Sequence, residues 1–144
     1  CRYGSSQANS TSSVGGRGTR QFKFRAWDKE NETMTYPKGI LFDGRIVNFS
    51  CGMLEAFEGY EIMQYTGLKD KNGKGIYAGD ILKHPTGNIA EIIYIDDLAA
   101  FVAFYKINEK NEMDYLDSEI MKMCEVIGNI YENPELLEGE NDNF

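Results

Sequence analysis

Positive charge is in short supply: 15 lysines and arginines stand against 23 acids, for a formal charge of -8. An extended phosphate-binding surface is therefore not written into the charge balance. Long apolar runs are missing too. The longest, about Ile92–Ile95 and Leu98–Tyr105, fall well short of the ~18 residues of a membrane-spanning helix, so no membrane span is expected. Three cysteines without CxxC spacing make neither a zinc site nor a disulfide framework. Cys51 and Cys124 are expected as buried thiols in a reducing compartment. A lone histidine, His84, excludes a multi-histidine metal site and leaves a triad or His–Cys pair without marked partners. Lying between Lys83 and Pro85 at a strand end, it reads as a solvent-facing turn residue. No dinucleotide fingerprint, P-loop or EF-hand spacing occurs, and no cofactor is expected.

What the chain does have is the composition of a folded domain, 42% hydrophobic and 26% charged. Its 144 residues suffice for one core and not for two. Residues 1–20 contain Arg2, Arg17 and Arg20, no acid, and almost no large apolar side chain. Burial cannot offset the entropy of ordering such a segment. It reads as a flexible leader foreign to the natural protein, and removing its three positive charges takes the net charge from -8 to -11. A single domain is expected over 21–134, with a meander and short helix over 21–60, a barrel-like part over 61–134, and an acidic tail over 135–144.

The domain reads mostly as strand and turn. Phe22–Trp27 alternates apolar and polar, the period of a half-buried strand, and Met34–Tyr36 returns before Pro37. Gly39–Phe42 and Ile46–Phe49 flank the hairpin dipeptide Asp43-Gly44. Residues 50–59 are the best helical stretch of the first half, with Ser50 as cap and Leu54 and Phe57 as an i, i+3 pair. Five strands follow at Ile62–Thr66, Ile81–His84, Ile89–Ile95, Ala99–Tyr105 and Val126–Tyr131, with Ile76-Tyr77 leading into the second and turns at Asn72-Gly73, Pro85–Asn88 and Asp96-Asp97. Glu109–Glu112 reads as a polar loop, and Tyr115–Met123 as either strand or short helix. The fold class is mainly β (α+β): an antiparallel meander plus a small SH3-like open β-barrel, with one or two short helices. A plain twisted meander fits the same pattern.

Gly67, Gly73, Gly75 and Gly79 read as turn positions with positive φ, and Gly79-Asp80 as the shaped entry to a strand. Three stretches carry a family resemblance. They are Met63–Lys74 with Ile76-Tyr77 and Gly79–Ile81, then Phe24–Asp28, and finally Val126–Leu137. In that combination the sequence resembles the YopX family of phage and prophage proteins over residues 21–137. The family usually carries acids near the positions of Gly75 and Ala78, and this chain has none there. The resemblance implies a phage or prophage origin, the cytoplasm of a bacterial host, and assembly into homo-oligomers. It implies no reaction.

Candidate site residues divide into two groups. Gly67, Asp70, Asn72, Gly73, Gly79 and Asp80 form a structural motif. Asp70 and Asp80 could share a divalent ion only if the loop folded over, and no ligand spacing supports it. Asp96-Asp97 sits in a turn where aspartate bonds local amides, and adjacent strand residues point apart. No catalytic or metal residue is therefore assigned. Trp27, Tyr65 and Tyr77 are the candidates for docking a partner, against the alternative that rings fill a small barrel. The reading is a non-catalytic, phage-encoded, homo-oligomeric protein-interaction module whose further partner is a host or phage protein. An acidic β surface mimicking DNA is a sharper variant. The alternatives are a nucleic-acid accessory protein stacking bases on its tyrosines, which the acidic charge opposes, and a metal-dependent enzyme.

Overall fold

The computed structural model describes residues 20–107 and 110–138. Apart from Arg20, the leader lies outside the described residues, as do Glu109 and the last six residues of the tail. The strands are β1 (Phe24–Asp28), β2 (Thr33–Thr35), β3 (Gly39–Ile40), β4 (Ile46–Ser50), β5 (Met53–Phe57), β6 (Tyr60–Lys69), β7 (Gly75–Tyr77), β8 (Asp80–Lys83), β9 (Ile89–Ile95), β10 (Ala100–Ile107), β11 (Lys110–Tyr115) and β12 (Glu125–Asn129). Two single-turn helices, α1 (Ser118–Met121) and α2 (Glu135–Glu138), and a 3-10 turn at Asp96–Leu98 complete the elements among the described residues. The chain is mainly β, as the sequence implies, and its antiparallel sheets include a curled half-barrel. Among the described residues no helix is long and apolar enough to cross a membrane.

The strands form three sheets, ordered β2-β1-β6-β7, β11-β10-β9-β8-β12 and β3-β4-β5. In the five-stranded sheet, Ala103 lies opposite Ile92 and Leu82 opposite Ala90, so these four side chains share one face. That face is the core. Leu82, Ile92 and Ala103 pack there against Ile76 of β7 and against Met121 and Cys124 at and after α1. Asp117 caps α1 by accepting the Glu119 N–H at 2.7 Å, so the ambiguous 115–123 resolves into the end of β11 and one helical turn.

Several expectations need correction. Residues 50–59 are not helical: Cys51 and Gly52 have φ of +53° and +81°, and they close a two-residue hairpin from Ser50 into β5. Positive φ at both central positions matches the right-handed twist of the flanking strands, and this outweighs one i, i+3 pair. Cys51 is accordingly exposed at the hairpin tip, while Cys124 is buried. β1 is not half-buried: Arg25, Ala26 and Trp27 are all buried, so both faces of the strand are covered. Lys110–Glu112 belongs to β11 rather than to a loop, paired with β10 from Ile107↔Lys110 to Val102↔Tyr115. Part of the expected acidic tail is the helix α2, whose Leu136 and Leu137 line a cleft with Ile89 and Phe104.

Candidate functional site

The motif residues meet where the two larger sheets join. Arg25 of β1 donates through Nη2 to Asp80 Oδ1 of β8 at 2.5 Å, and the two side chains are 6% and 1% exposed. The other Asp80 oxygen accepts the Tyr77 N–H at 2.8 Å. The Arg25 guanidinium also lies 4.5 Å from the centre of the Tyr77 ring. Burial pushes the Asp80 carboxyl above its ordinary value, against the pull of Arg25. Arg25 Nε is buried and has no hydrogen-bond partner among the described residues.

Asp70 makes a second cross-link. Its carboxylate accepts the N–H groups of Asn72, Lys74 and Val126, each at 2.9 Å. Val126 is in β12, so one side chain both closes the β6–β7 turn and fastens it to the five-stranded sheet. The Lys71 N–H adds a bond to the Cys124 carbonyl at 2.9 Å. Gly73 sits in that turn with φ +80°, and Gly79, with φ +94°, enters β8. The Gly79 N–H donates to the Ile92 carbonyl and its carbonyl accepts from Ile130, while a Cβ would stand 3.2 Å from the Met63 sulfur. Gly67 also has positive φ, at +93°. Gly75 does not follow the turn expectation: it is an extended β7 residue, and its missing Cβ, which would stand 2.9 Å from the Tyr65 ring, makes room for that ring.

Trp27 stacks on Tyr131 with ring centres 5.8 Å apart and planes 17° from parallel. Asn129 Oδ1 accepts the N–H groups of Tyr131 and Glu132, folding the chain after β12 into a turn that brings Tyr131 there. Thus Trp27 and Tyr65 are buried and offer a partner almost no ring face, whereas Tyr77 is half-buried over Arg25. His84 lies in its expected turn, with Nδ1 accepting the Thr86 N–H at 3.1 Å. Asp70 and Asp80 are spent on amides and on Arg25 respectively. Among the described residues no group of three or more His, Cys, Asp or Glu is arranged to hold a metal ion.

Sequence reasoning missed Arg25 and Tyr131, the partners of Asp80 and Trp27. The available signal was an arginine flanked by Phe24, Ala26 and Trp27, a charge inside an otherwise apolar strand.

It read the β3–β4 hairpin of the β3–β5 arm but missed β5, and with it the exposed apolar side chains at the outer end of the arm. The inner end of the arm is packed, with Ile46 1% exposed and Phe57 edge-on to Tyr60. Its outer end carries Phe49, Met53 and Leu54 at 58%, 68% and 58% exposure. Register places Val47 opposite Ala56 and Phe49 opposite Leu54, so these four residues share one face. β5 is also an edge strand. Ser50 and Met53 close the two-residue turn and exchange their backbone bonds, so the alternation along the ladder turns the N–H and C=O of Leu54 and Ala56 to the open side.

A family model, the YopX protein, matches residues 23–138. This chain belongs to the YopX family. It is also similar to protein EF1440 from Enterococcus faecalis, whose crystal structure matches at 30% identity over 83% of this chain and 99% of that chain, with a TM-score of 0.47. No curated protein matches. The YopX span contains the Arg25–Asp80 pair, the Asp70 cross-link, the Trp27–Tyr131 stack and the whole β3–β5 arm.

One titration in this YopX domain has a definite expected outcome. Tyr105 donates its hydroxyl to Asp114, and this bond, with burial and the Asp114 charge, pushes Tyr105 up to about 12. Neutral Tyr105 is the form the fold prefers. Its contribution to stability is therefore complete below pH 10.0 and is lost as the pH rises through about 12. Ultraviolet titration of the phenolate band is expected to place one tyrosine near 12, and Asp114→Ala to return it toward 10.0.

Proposed function

We propose that this protein is a non-catalytic interaction module that works by binding protein chains, its own copies first, through the β3–β5 arm. The observation that carries the reading is the outer end of that arm, where Phe49 and Leu54 on one face and Met53 on the other are exposed beside an open strand edge. Burying such side chains stabilises an association by about 1.5–3 kcal/mol each, before the cost of immobilising two chains. Edge strands are ordinarily blunted by charged side chains, proline or bulges, and β5 (Met-Leu-Glu-Ala-Phe) carries one such device, the single charge of Glu55.

The occupant is a second copy. An antiparallel β5–β5 pair about a twofold axis is self-complementary. A register centred on Glu55 would set two carboxylates face to face. A register centred on Leu54 instead pairs Met53 of one copy with Glu55 of the other and joins the Leu54 backbone groups. The YopX membership supports the broader setting proposed here, a phage or prophage accessory protein acting in the cytoplasm of a bacterial host, with a host or phage protein as further partner.

Leu54→Pro separates this reading from its rivals. Proline is tolerated on an edge strand where the N–H faces outward, so the monomer keeps its fold while the outward donor is lost. Sedimentation velocity is expected to give an oligomer for the unaltered chain and a folded monomer for Leu54→Pro. A monomeric unaltered chain, or an oligomer unaffected by Leu54→Pro and by Phe49→Ser, would contradict it.

A further inference from the structure

The core face of the five-stranded sheet is not filled along its whole length. A hollow of about 220 Å³ opens between Leu82, Ala90, Ile92 and Ala103 on the sheet and Ile120 and Met121 of α1. Two alanines leave this space. Ala103 lies opposite Ile92, and Ala90 is two residues from Ile92 in β9, so the alanines are diagonal neighbours on adjacent strands. Larger aliphatic residues at either position would close the floor, as close packing ordinarily requires. An apolar cavity of roughly 150 Å³ suffices for benzene, so this one accepts a single ring with a short side arm.

The rim is polar and one-sided in charge. Asp114 and Tyr105 stand on it, and His84, Thr86 and Asn88 close it from the β8–β9 turn. Asp114 Oδ2 accepts the Tyr105 hydroxyl, and among the described residues Asp114 has no ion-pair partner. The Thr86 N–H can only donate, so His84 Nδ1 accepts and the proton of the neutral ring sits on Nε2. The rim therefore supplies an anionic acceptor above an apolar floor.

The geometry points to this hollow as a binding site for a small primary amine carrying one aromatic ring, the ring on the alanine floor and the ammonium at Asp114. This site is separate from the β3–β5 arm and independent of the interaction reading.

Phenethylamine is the probe, titrated into the full chain and followed by two-dimensional NMR of amide and methyl signals. Saturable shifts are expected at Ala90, Ile92 and Ala103. The dissociation constant is expected to rise about three- to fivefold in Asp114→Asn, the range of a solvent-exposed charge contact, and by the same factor when phenethyl alcohol replaces the amine. Ala103→Leu fills the hollow and is expected to weaken binding roughly tenfold or more. Should Ala103→Leu fail to fold, the alcohol comparison and Asp114→Asn decide alone. Shifts that do not saturate, that map away from the hollow, or that are equal for amine and alcohol overturn the proposal.

Discussion

Replacing Asp80 by alanine is expected to destabilise the domain by about 3–5 kcal/mol, the usual cost of leaving a buried charge without its counter-ion. Arg25 would be that charge. Its side chain is 6% exposed, and one of its nitrogens, Nε, already lacks a partner among the described residues. The Tyr77 N–H, which now donates to Asp80, would lose its acceptor as well. With total stabilities of about 5–15 kcal/mol, such a loss brings the chain close to unfolding at ordinary temperature. The cost belongs to the orphaned partner rather than to the pair itself. Arg25→Met combined with Asp80→Leu is therefore expected to recover at least about 1 kcal/mol of the loss. Urea denaturation of the single and double variants measures both numbers. Equal stability of Asp80→Ala and the unaltered chain would mean that Arg25 finds water or another acceptor.

Asp70→Ala is expected to cost about 2–4 kcal/mol, because three amide donors lose a charged acceptor at once and the bonds are not additive. Asp70 is 4% exposed. Burial pushes its carboxyl up, but the N–H groups of Val126, Lys74 and Asn72 outweigh that and hold it below its ordinary value of 3.8. A carboxylate lowered in the folded state contributes its full stability above the unfolded value and loses it as pH falls through the folded one. The unaltered chain should accordingly lose part of its stability as pH falls below 3.8, and Asp70→Ala should lose less over the same range. Urea midpoints recorded across that range check the sign.

Asp70 and Asp80 also mark how far the sequence could be read. Gly67, Gly73, Gly79 and the two aspartates are legible as a structural motif because turns demand particular residues at particular offsets. Such local rules give β-strands from period-2 alternation and place the hairpins. They cannot say which distant strand a turn is fastened to, and Asp70 reaches Val126 fifty-six residues away. The buried Arg25 was illegible for the same reason, since a charge in an apolar strand has meaning only once Asp80 is seen beside it. The helix expected at 50–59 failed on a local conflict. Leu54 and Phe57 suit a helix or a strand equally, and the positive φ of Cys51 is not advertised by a residue type that favours it. The third strand of the arm went unseen with it, and so did its exposed surface, because exposure of Phe49, Met53 and Leu54 follows from their being strand residues that project beyond the core.

Hydrogen exchange at the β5 backbone tests self-association through that edge without any substitution. Leu54 and Ala56 direct their amides away from β4, so in a monomer both exchange freely. Protection at Leu54 is expected to rise with protein concentration while amides bonded to β4, such as Glu55, change little. Leu54 exchanging freely at concentrations where the chain is oligomeric would contradict association through β5, and would place the interface on another surface.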